Sequence, residues 1–194
     1  SREELTRMCE ICIRHQVLIV SDEIHSDLIF QGKKHIPTAT LSEEIAAYVI
    51  TCTSGTKTFN LAGIQAAAIV FPNQELKGVY DRFWVNLDIH RNNAFSSVIM
   101  ETAFNEGEEW LEQLLEYISG NFDFIREYCR EHIPQIKPNL PDATYLVWLD
   151  CRELGMSNEE LKNFMIHKAG LGLNEGWSFG RSLSGYMRLN AACP

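Results

Sequence analysis

The sequence predicts an α/β protein: a mostly parallel sheet covered by helices, followed by a small α+β C-terminal domain. Over the first half of the chain, short β-branched apolar runs alternate with helical segments. Such alternation implies crossover connections between parallel strands. A long helical stretch follows, and short strands with one helix come after it. We therefore predict an α/β part over residues 1–105, a connecting long helix over 106–133 and the small domain over 134–194.

Composition supports a globular domain and excludes some partners. The chain has 194 residues, 45% of them apolar, and a net charge of −9, which is enough to form a core. An acidic chain without a basic run argues against nucleic acid and anionic membranes as partners. The longest apolar stretch, 62–71, is too short to span a bilayer. The chain opens on a helix pattern without a visible leader, so we expect a cytoplasmic protein.

The first half begins with a helix and continues with three strands. Ser1 and Glu4 form a capping-box pattern for a helix ending near His15. Its predicted inner face consists of Leu5, Met8, Cys9 and Cys12. Three continuous apolar runs predict strands buried on both faces, at 17–20, 48–52 and 66–70. A helical turn is predicted at 42–47 and a helix at 72–86.

The second half is dominated by one long helix. Apolar residues at helical spacing predict it over 108–132, and Gly120-Asn121 could mark a bend. Short strands are predicted at 145–149 and 186–190. Between them a helix over 158–168 has Ser157 and Glu160 as its capping box.

The cysteines favour free thiols over a disulfide framework or a metal site. The six cysteines belong to a chain large enough to fold without disulfides. Cys9, Cys12 and His15 resemble a metal cluster, but no second pair at zinc-ligand spacing occurs elsewhere. We interpret these cysteines as core thiols and predict no bound metal.

Three polar segments each lie at or beside a predicted strand. They are 21–27, 53–63 and 186–190, and they contain Asp22, Lys57 and Arg188 respectively. Ligands bind beyond the carboxyl ends of strands in open α/β sheets, and an arginine fork suits a carboxylate. Taken singly, each has a plain alternative. Asp22 could cap a turn, Lys57 could be a solvated surface lysine, and Arg188 could form an ordinary ion pair.

Together these segments resemble a known family. The runs Asp22–Leu28, Ser54–Gly63 and Arg188–Asn190 resemble the fold type I pyridoxal 5'-phosphate (PLP) enzymes, and most closely the MalY/PatB-type cystathionine β-lyases. The resemblance implies that residues 1–105 are the C-terminal part of a PLP-binding large domain. Further agreement lies in 107–111, 143–151 and 187–194.

The resemblance also implies roles for the polar side chains. Lys57 would form the Schiff base with PLP and move the α-proton of the substrate. Asp22 would pair with the pyridinium nitrogen, which keeps PLP an electron sink. His25 would lie near the phenolic oxygen, where aminotransferases usually carry tyrosine.

Anionic groups would be held by three further side chains. Ser54, with help from Thr56, would bind the cofactor phosphate, and Arg188 would grip the α-carboxylate of an amino-acid substrate.

The chain departs from the family pattern at two positions and in its extent. Gln65 stands where many aminotransferases have a phosphate-binding arginine, and 179–185 is poorer in glycine than expected. Family members are longer at the N-terminus, so the chain resembles a C-terminal fragment. The resemblance further implies a homodimer for the parent enzyme.

Three functions remain open at this point. The first is a C–S β-lyase that converts cystathionine or cysteine conjugates to thiol, pyruvate and ammonia. The second is an aminotransferase that uses the same residues. The third is a catalytically silent regulatory or binding domain.

Overall fold

The structure, a computed structural model, describes residues 1–30, 32–88 and 93–193. The chain divides into two compact units, Ser1–Leu111 and Glu112–Pro194, which are described separately below. The three-part division at residues 105 and 133 stays a prediction.

Among its described residues, the first unit has five α-helices and three strands of its own. The helices are α1 (Arg2–Arg14), α2 (Glu43–Ala46), α3 (Gly55–Thr58), α4 (Gln74–Asn86) and α5 (Ser96–Glu106). The strands are β1 (Ile19–Asp22), β2 (Val49–Thr53) and β3 (Ala68–Val70). Each strand begins one or two residues later than predicted. The capping box of Ser1 and Glu4 is confirmed.

The three strands form one sheet in the order β1-β2-β3. β1 and β2 run parallel, with Ile19 opposite Val49, as predicted. β3 runs antiparallel to β2, with Thr51 opposite Val70. The prediction of a parallel crossover is therefore confirmed for the first pair and wrong for the second. The link from β2 to β3 holds only α3 and the 3-10 helix Ala62–Ile64, and the chain returns along β2.

The core of the first unit lies on one face of this sheet. Cys9 from α1, Ile45 from α2, Ile19 from β1 and Val49 from β2 form a buried apolar cluster. Successive strand residues point to opposite faces, so Val20 lies on the other side and is 63% exposed. The prediction that β1 is covered on both faces is therefore wrong for this chain.

Fewer residues on the predicted inner face of α1 are buried than expected. Cys9 is fully buried and Cys12 half-buried, whereas Met8 is exposed. The interpretation of Cys9 as a core thiol is confirmed. Burial raises the pKa of its thiol, and the neighbouring Cys12 adds to this effect.

Helix α5 was not predicted, and its start explains why. Its N-cap residue is Phe95, which provides no side-chain hydrogen bond to the first turn. The usual serine, threonine or acidic cap that marks a helix start in a sequence is therefore missing. The helix contributes Phe104, whose ring contacts Phe59 edge-on with centroids 5.6 Å apart.

Helix α6 (Glu108–His132) begins in the first unit and runs into the second. It continues as one helix through Gly120 and Asn121, so these residues do not interrupt it. The second unit adds α7 (Asn158–His167) and the strands β4 (Lys137–Asn139), β5 (Leu146–Asp150), β6 (Asn174–Glu175) and β7 (Tyr186–Asn190). The capping box of Ser157 and Glu160 on α7 is confirmed.

The four strands of the second unit form an antiparallel sheet in the order β4-β5-β7-β6. Its apolar core is drawn from α6, α7, β5 and β7, and includes Ile118, Phe122, Val147, Leu161, Met165 and Met187. Asn121 on α6 holds the segment that follows β7, because its Nδ2 donates to the Ala191 carbonyl oxygen at 2.8 Å. None of the helices in the described ranges is long and apolar enough to cross a membrane.

Candidate functional site

The predicted site residues of the first unit lie at one edge of its sheet. β1 and β2 are parallel and in register, with Asp22 opposite Cys52. Their carboxyl ends therefore meet at the same edge, where Asp22 ends β1 and Ser54 follows β2 directly. Burial raises the pKa of the Cys52 thiol, and the negative charge of the nearby Asp22 carboxylate raises it further. The sheet thus brings the first two polar segments together, as the sequence predicts.

Lys57 lies on the one-turn helix α3, and the Ser54 side chain begins that helix. The Ser54 hydroxyl accepts from the Thr56 N–H at 3.0 Å and donates to the Ala66 carbonyl oxygen at 2.6 Å. It also lies 2.9 Å from Thr56 Oγ1. Lys57 is half-buried and makes no hydrogen bond or ion pair within the described ranges. Its amine is therefore left available for a ligand.

The hydroxyls of Ser54 and Thr56 are occupied within the turn itself. Both residues are buried. Since a hydroxyl has one proton, Ser54 cannot donate to a ligand while it donates to Ala66. Their predicted contact with a phosphate stays a prediction, and it requires the Ser54 hydroxyl to rotate.

Asp22 caps the turn that follows β1 and keeps one carboxylate oxygen for another partner. Its Oδ1 accepts from the Ile24 N–H at 3.2 Å, so the capping alternative is realised. Oδ2 accepts no hydrogen bond from any residue that the structure describes, and the side chain is exposed. Capping and ligand binding are therefore compatible at this residue.

His25 lies near both charged groups of the site. Burial lowers the pKa of its imidazole, the positive charge of Lys57 lowers it further, and the carboxylate of Asp22 raises it. Asp22 and Lys57 thus both lie close enough to His25 to affect its pKa, and these three residues are defined here as the Lys57 site. A neutral imidazole can accept or donate one hydrogen bond to a ligand oxygen.

A buried carboxylate beside this site was missed by the sequence analysis. Glu23 accepts from the Thr38 N–H at 3.0 Å and from the Ser21 hydroxyl at 3.0 Å, and its Oε2 lies 2.8 Å from His35 Nε2. Burial raises the pKa of Glu23, but the hydrogen bonds from His35, Thr38 and Ser21 outweigh this and hold it below its usual value. Only the tertiary fold brings these partners together, so no sequence spacing reveals them.

Asp27 and Thr58 form a second contact that the sequence analysis missed. The Thr58 hydroxyl donates to Asp27 Oδ2 at 2.7 Å. Thr58 is fully buried and directly follows Lys57. The bond joins the turn that carries His25 to the helix that carries Lys57.

A cavity of about 210 Å³ lies beside Ser54 but is distinct from the Lys57 site. Small and hydroxyl side chains line part of it, including Thr53, Ser96 and Ser97. Asp22, His25 and Lys57 do not line it, so it adds no residue to that site.

Arg188 lies on β7 in the second unit and is considered by itself. Its Nη2 donates to Asn174 Oδ1 at 3.1 Å, and its guanidinium stacks on the Phe179 ring at 4.3 Å from the centroid. Its buried Nε has no hydrogen-bond partner. Since no carboxylate pairs with Arg188 among the residues described, the ion-pair alternative is not realised. A buried unpaired donor is unfavourable by about 1–3 kcal/mol, which favours an anionic ligand here.

The remaining ionisable groups provide no metal centre. Within residues 1–30, 32–88 and 93–193, no three histidine, cysteine or acidic side chains are grouped so that they could hold a metal ion.

Comparison with known proteins identifies the family. The aminotransferase class I and II family matches residues 1–194, and the chain belongs to this family. Cystathionine β-lyase PatB of Bacillus subtilis is 39% identical over 193 residues, which cover 100% of this chain and 50% of PatB.

Solved structures agree in fold. A PLP-bound protein of Clostridium difficile 630, provisionally assigned as an aminotransferase, is 45% identical with a TM-score of 0.97. The match covers 100% of this chain and 50% of that protein. Cystalysin of Treponema denticola, which contains pyridoxal 5'-phosphate, is 31% identical with a TM-score of 0.93, covering 100% of this chain and 49% of its own. The chain thus spans about half the length of the relatives it matches.

Proposed function

We propose that this chain supplies the lysine-bearing half of a PLP-dependent C–S β-lyase. The observation that carries the proposal is the Lys57 site, in which an unpaired lysine, an exposed carboxylate and a histidine interact at one sheet edge. The similarity to PatB supports the reaction class, because that relative is a cystathionine β-lyase. Below, the term full-length enzyme denotes a protein that contains this chain and is as long as the relatives it matches.

The residues present fit three of the four polar groups of PLP, and the phosphate contact of Ser54 and Thr56 requires the Ser54 hydroxyl to rotate. The cofactor has an aldehyde, a ring nitrogen, a phenolic oxygen and a phosphate. Lys57 provides the amine for the aldehyde, and the free Oδ2 of Asp22 can accept from the protonated ring nitrogen. His25 can hydrogen-bond the phenolic oxygen. Arg188 is the residue proposed to bind a substrate carboxylate, and the lack of a hydrogen-bond partner at its Nε supports this role.

The mechanism follows from what each side chain can hold or move. Bound PLP supplies an electron sink for the carbanion that forms at the substrate α-carbon. In the full-length enzyme, Arg188 would hold the α-carboxylate and so orient the bond to be broken. Lys57 Nζ would take the α-proton and then give it to the sulfur, which would leave with the electron pair of the broken Cβ–S bond. Water completes the conversion of the remaining carbon skeleton to pyruvate and ammonia.

Asp22 and His25 maintain the charge distribution that this reaction needs. The Asp22 carboxylate favours the protonated ring nitrogen. Burial lowers the pKa of the His25 imidazole, which favours its neutral form. A neutral imidazole does not compete with the ring nitrogen for the Asp22 carboxylate.

Pyruvate release from cystathionine by the full-length enzyme tests the proposal. We expect pyruvate and a thiol in equal amounts, and loss of at least about a hundredfold in rate for Lys57→Ala, since the amine is both attachment point and base. Lys77→Ala is the matched control, because Lys77 lies on α4 in an exposed ion pair with Asp81. Wild-type enzyme that binds PLP but releases no pyruvate would contradict the lyase assignment.

An aminotransferase is the second candidate. The provisional assignment of the 45% identical Clostridium difficile protein favours it. The same residues would serve, but the substrate nitrogen would be passed to a keto acid. Keto-acid-dependent amino transfer that exceeds pyruvate release from cystathionine would support this candidate over the lyase.

We also propose that the full-length enzyme is a cytoplasmic homodimer. The six cysteines are all free, and three of them are buried, which suits a reducing compartment. The dimer rests on the family resemblance alone. Sedimentation of the full-length enzyme at twice its monomer mass is the expected result.

A further inference from the structure

The Asp27–Thr58 hydrogen bond connects the two segments that form the Lys57 site. Its partners are 31 positions apart in the sequence. Thr58 is the neighbour of Lys57, and Asp27 lies two residues after His25. Since a carboxylate only accepts, the Thr58 hydroxyl is the donor, and a bond to a charged acceptor is about twice as strong as a neutral one.

The helix that carries Lys57 depends on contacts outside itself. α3 has only four residues, and so short a helix is not stable on its own. At its start, Ser54 bonds to the Ala66 carbonyl oxygen. At its end, Thr58 bonds to Asp27. Lys57 lies between these two attachments, so they determine where its side chain begins.

The turn that carries Asp27 is itself firmly held. The Ser26 N–H donates to the Glu23 carbonyl oxygen and the Leu28 N–H to the His25 carbonyl oxygen, both at 3.0 Å. Leu28 is fully buried, and the buried Glu23 carboxylate bonds to the Thr38 N–H. Asp27 is therefore a fixed point rather than a loop residue that could follow Thr58 as it moves.

We propose that the Asp27–Thr58 hydrogen bond is the positioning contact that sets the separation of the Lys57 amine from Asp22 and His25. Neither residue touches the reacting atoms, and both act through Lys57. The inference rests on the proposed function for its catalytic consequence. Its geometric content does not depend on PLP.

The first test measures the His25 pKa in the apo form of the full-length enzyme by NMR. The His25 signal is identified by its loss in His25→Asn. Because the Lys57 charge lowers this pKa, we expect Thr58→Val, which removes the hydroxyl, to move it back toward its ordinary value. Thr58→Ser, which keeps the hydroxyl, should leave it unchanged. An unchanged His25 pKa in Thr58→Val would overturn the proposal.

The second test is a double-mutant cycle in the PLP-loaded enzyme. Thr58→Val, which removes the donor, and Asp27→Ala, which removes the acceptor, should each lower kcat/KM about tenfold, since small displacements of a reacting group have large effects on rate. The double variant should be no slower than either single one, because both remove the same bond. Fully additive losses would show that the residues act separately and would overturn the proposal.

Thermal unfolding separates positioning from stability alone. A purely structural role predicts that Thr58→Val lowers the unfolding midpoint while the His25 pKa and kcat/KM of the folded fraction stay at wild-type values. That result also counts against the proposal. If Thr58→Val does not fold, Asp27→Ala provides the same readouts. If the wild type binds no PLP, the proposed function fails, while the apo-form titration still decides the positioning role.

Discussion

Ser54 has two roles at the level of a single residue: it caps α3 and ties the turn to Ala66. Ser54→Ala should lower the free energy of unfolding by about 1–2 kcal/mol, as for other lost caps, and should weaken PLP binding because Lys57 shifts. Urea unfolding and PLP titration of the full-length enzyme measure the two effects.

Ser42 offers a matched control for this prediction. It caps α2, another four-residue helix, by accepting from the Ile45 N–H at 3.1 Å. Ser42→Ala should lose similar stability without changing PLP affinity. Equal effects of both substitutions on PLP binding would show that the Ser54 cap has no special connection to Lys57.

Asp150 should make the stability of the second unit depend on pH. Hydrogen bonds from Arg152, with distances of 2.7 and 2.9 Å, lower its pKa from 3.8 to about 2. Tyr186 adds a further hydrogen bond at 3.3 Å. A carboxyl group whose pKa is lowered by folding stabilises the fold at any pH above its pKa in the unfolded chain. This stabilisation is lost as the pH falls from about 4 to about 2.

Asp150→Asn tests this prediction. In this variant, the thermal unfolding midpoint of the chain should decrease less between pH 4 and pH 2 than it does in the wild type. Asp123→Asn is the control, since Asp123 lies in an exposed pair with Arg126 that solvent screens. An unchanged acid profile in Asp150→Asn would mean that the Arg152 pair does not favour the charged form.

At the level of elements, the junction of α5 and α6 supports the helix that carries Lys57. A Cβ added at Gly107 would clash with the Ala103 carbonyl oxygen and lie 2.5 Å from the Phe59 ring. Phe59 closes α3 and also contacts Trp110, with centroids 6.0 Å apart. Gly107→Ala should therefore destabilise the chain by about 1–3 kcal/mol through overpacking.

Gly120→Ala provides the opposite expectation in the interior of α6. Gly120 is exposed in the interior of α6, with nothing within 4 Å of an added Cβ. Alanine there should stabilise the chain by about 0.5–1 kcal/mol. Urea unfolding of both variants gives the comparison, and a destabilising Gly120→Ala or a neutral Gly107→Ala would contradict the packing described.

The sequence predicted elements well where a local pattern specifies them. The capping boxes at Ser1 and Ser157 set two helix starts, and β7 was predicted at its observed bounds. Helix α5 has no capping side chain, and the β3 direction depends on how the chain returns after α3. Those features are decided by tertiary contacts, which periodicity does not encode.

The sequence placed Asp22 and Lys57 after neighbouring strands, but it did not reveal the contacts that support them. The ends of β1 and β2 placed Asp22 and Lys57 together because parallel strands share a carboxyl edge. The Asp27–Thr58 bond joins positions far apart in the sequence. Hydroxyl and carboxylate residues are common in loops, so no pattern distinguished this pair.

For the whole molecule, we expect the exposed face of β1 to be covered by the additional sequence that the longer relatives have. Ile19 is buried and Val20 is 63% exposed. In this chain by itself, Ile19→Ala should destabilise by about 2–4 kcal/mol, and Val20→Ala by less than about 0.5 kcal/mol. In the full-length enzyme, we expect the second face to be covered and Val20→Ala to lose about 1–2 kcal/mol.

Urea unfolding of both lengths of protein measures this difference. The Ile19 variant serves as the internal control, since its face is covered by α1 and α2 in either case. A negligible Val20→Ala effect in the full-length enzyme would show that the additional sequence does not pack on this face.

The identity of the PLP-bearing lysine is the most direct test of the proposed function. The full-length enzyme would be loaded with PLP, reduced with borohydride, digested and mapped by mass spectrometry, with Lys57→Arg as control. We predict a pyridoxyl group on the peptide that contains Lys57 and none in the variant. Label on another lysine, such as Lys33 or Lys77, or no label at all, would contradict the assignment of Lys57 as the cofactor lysine.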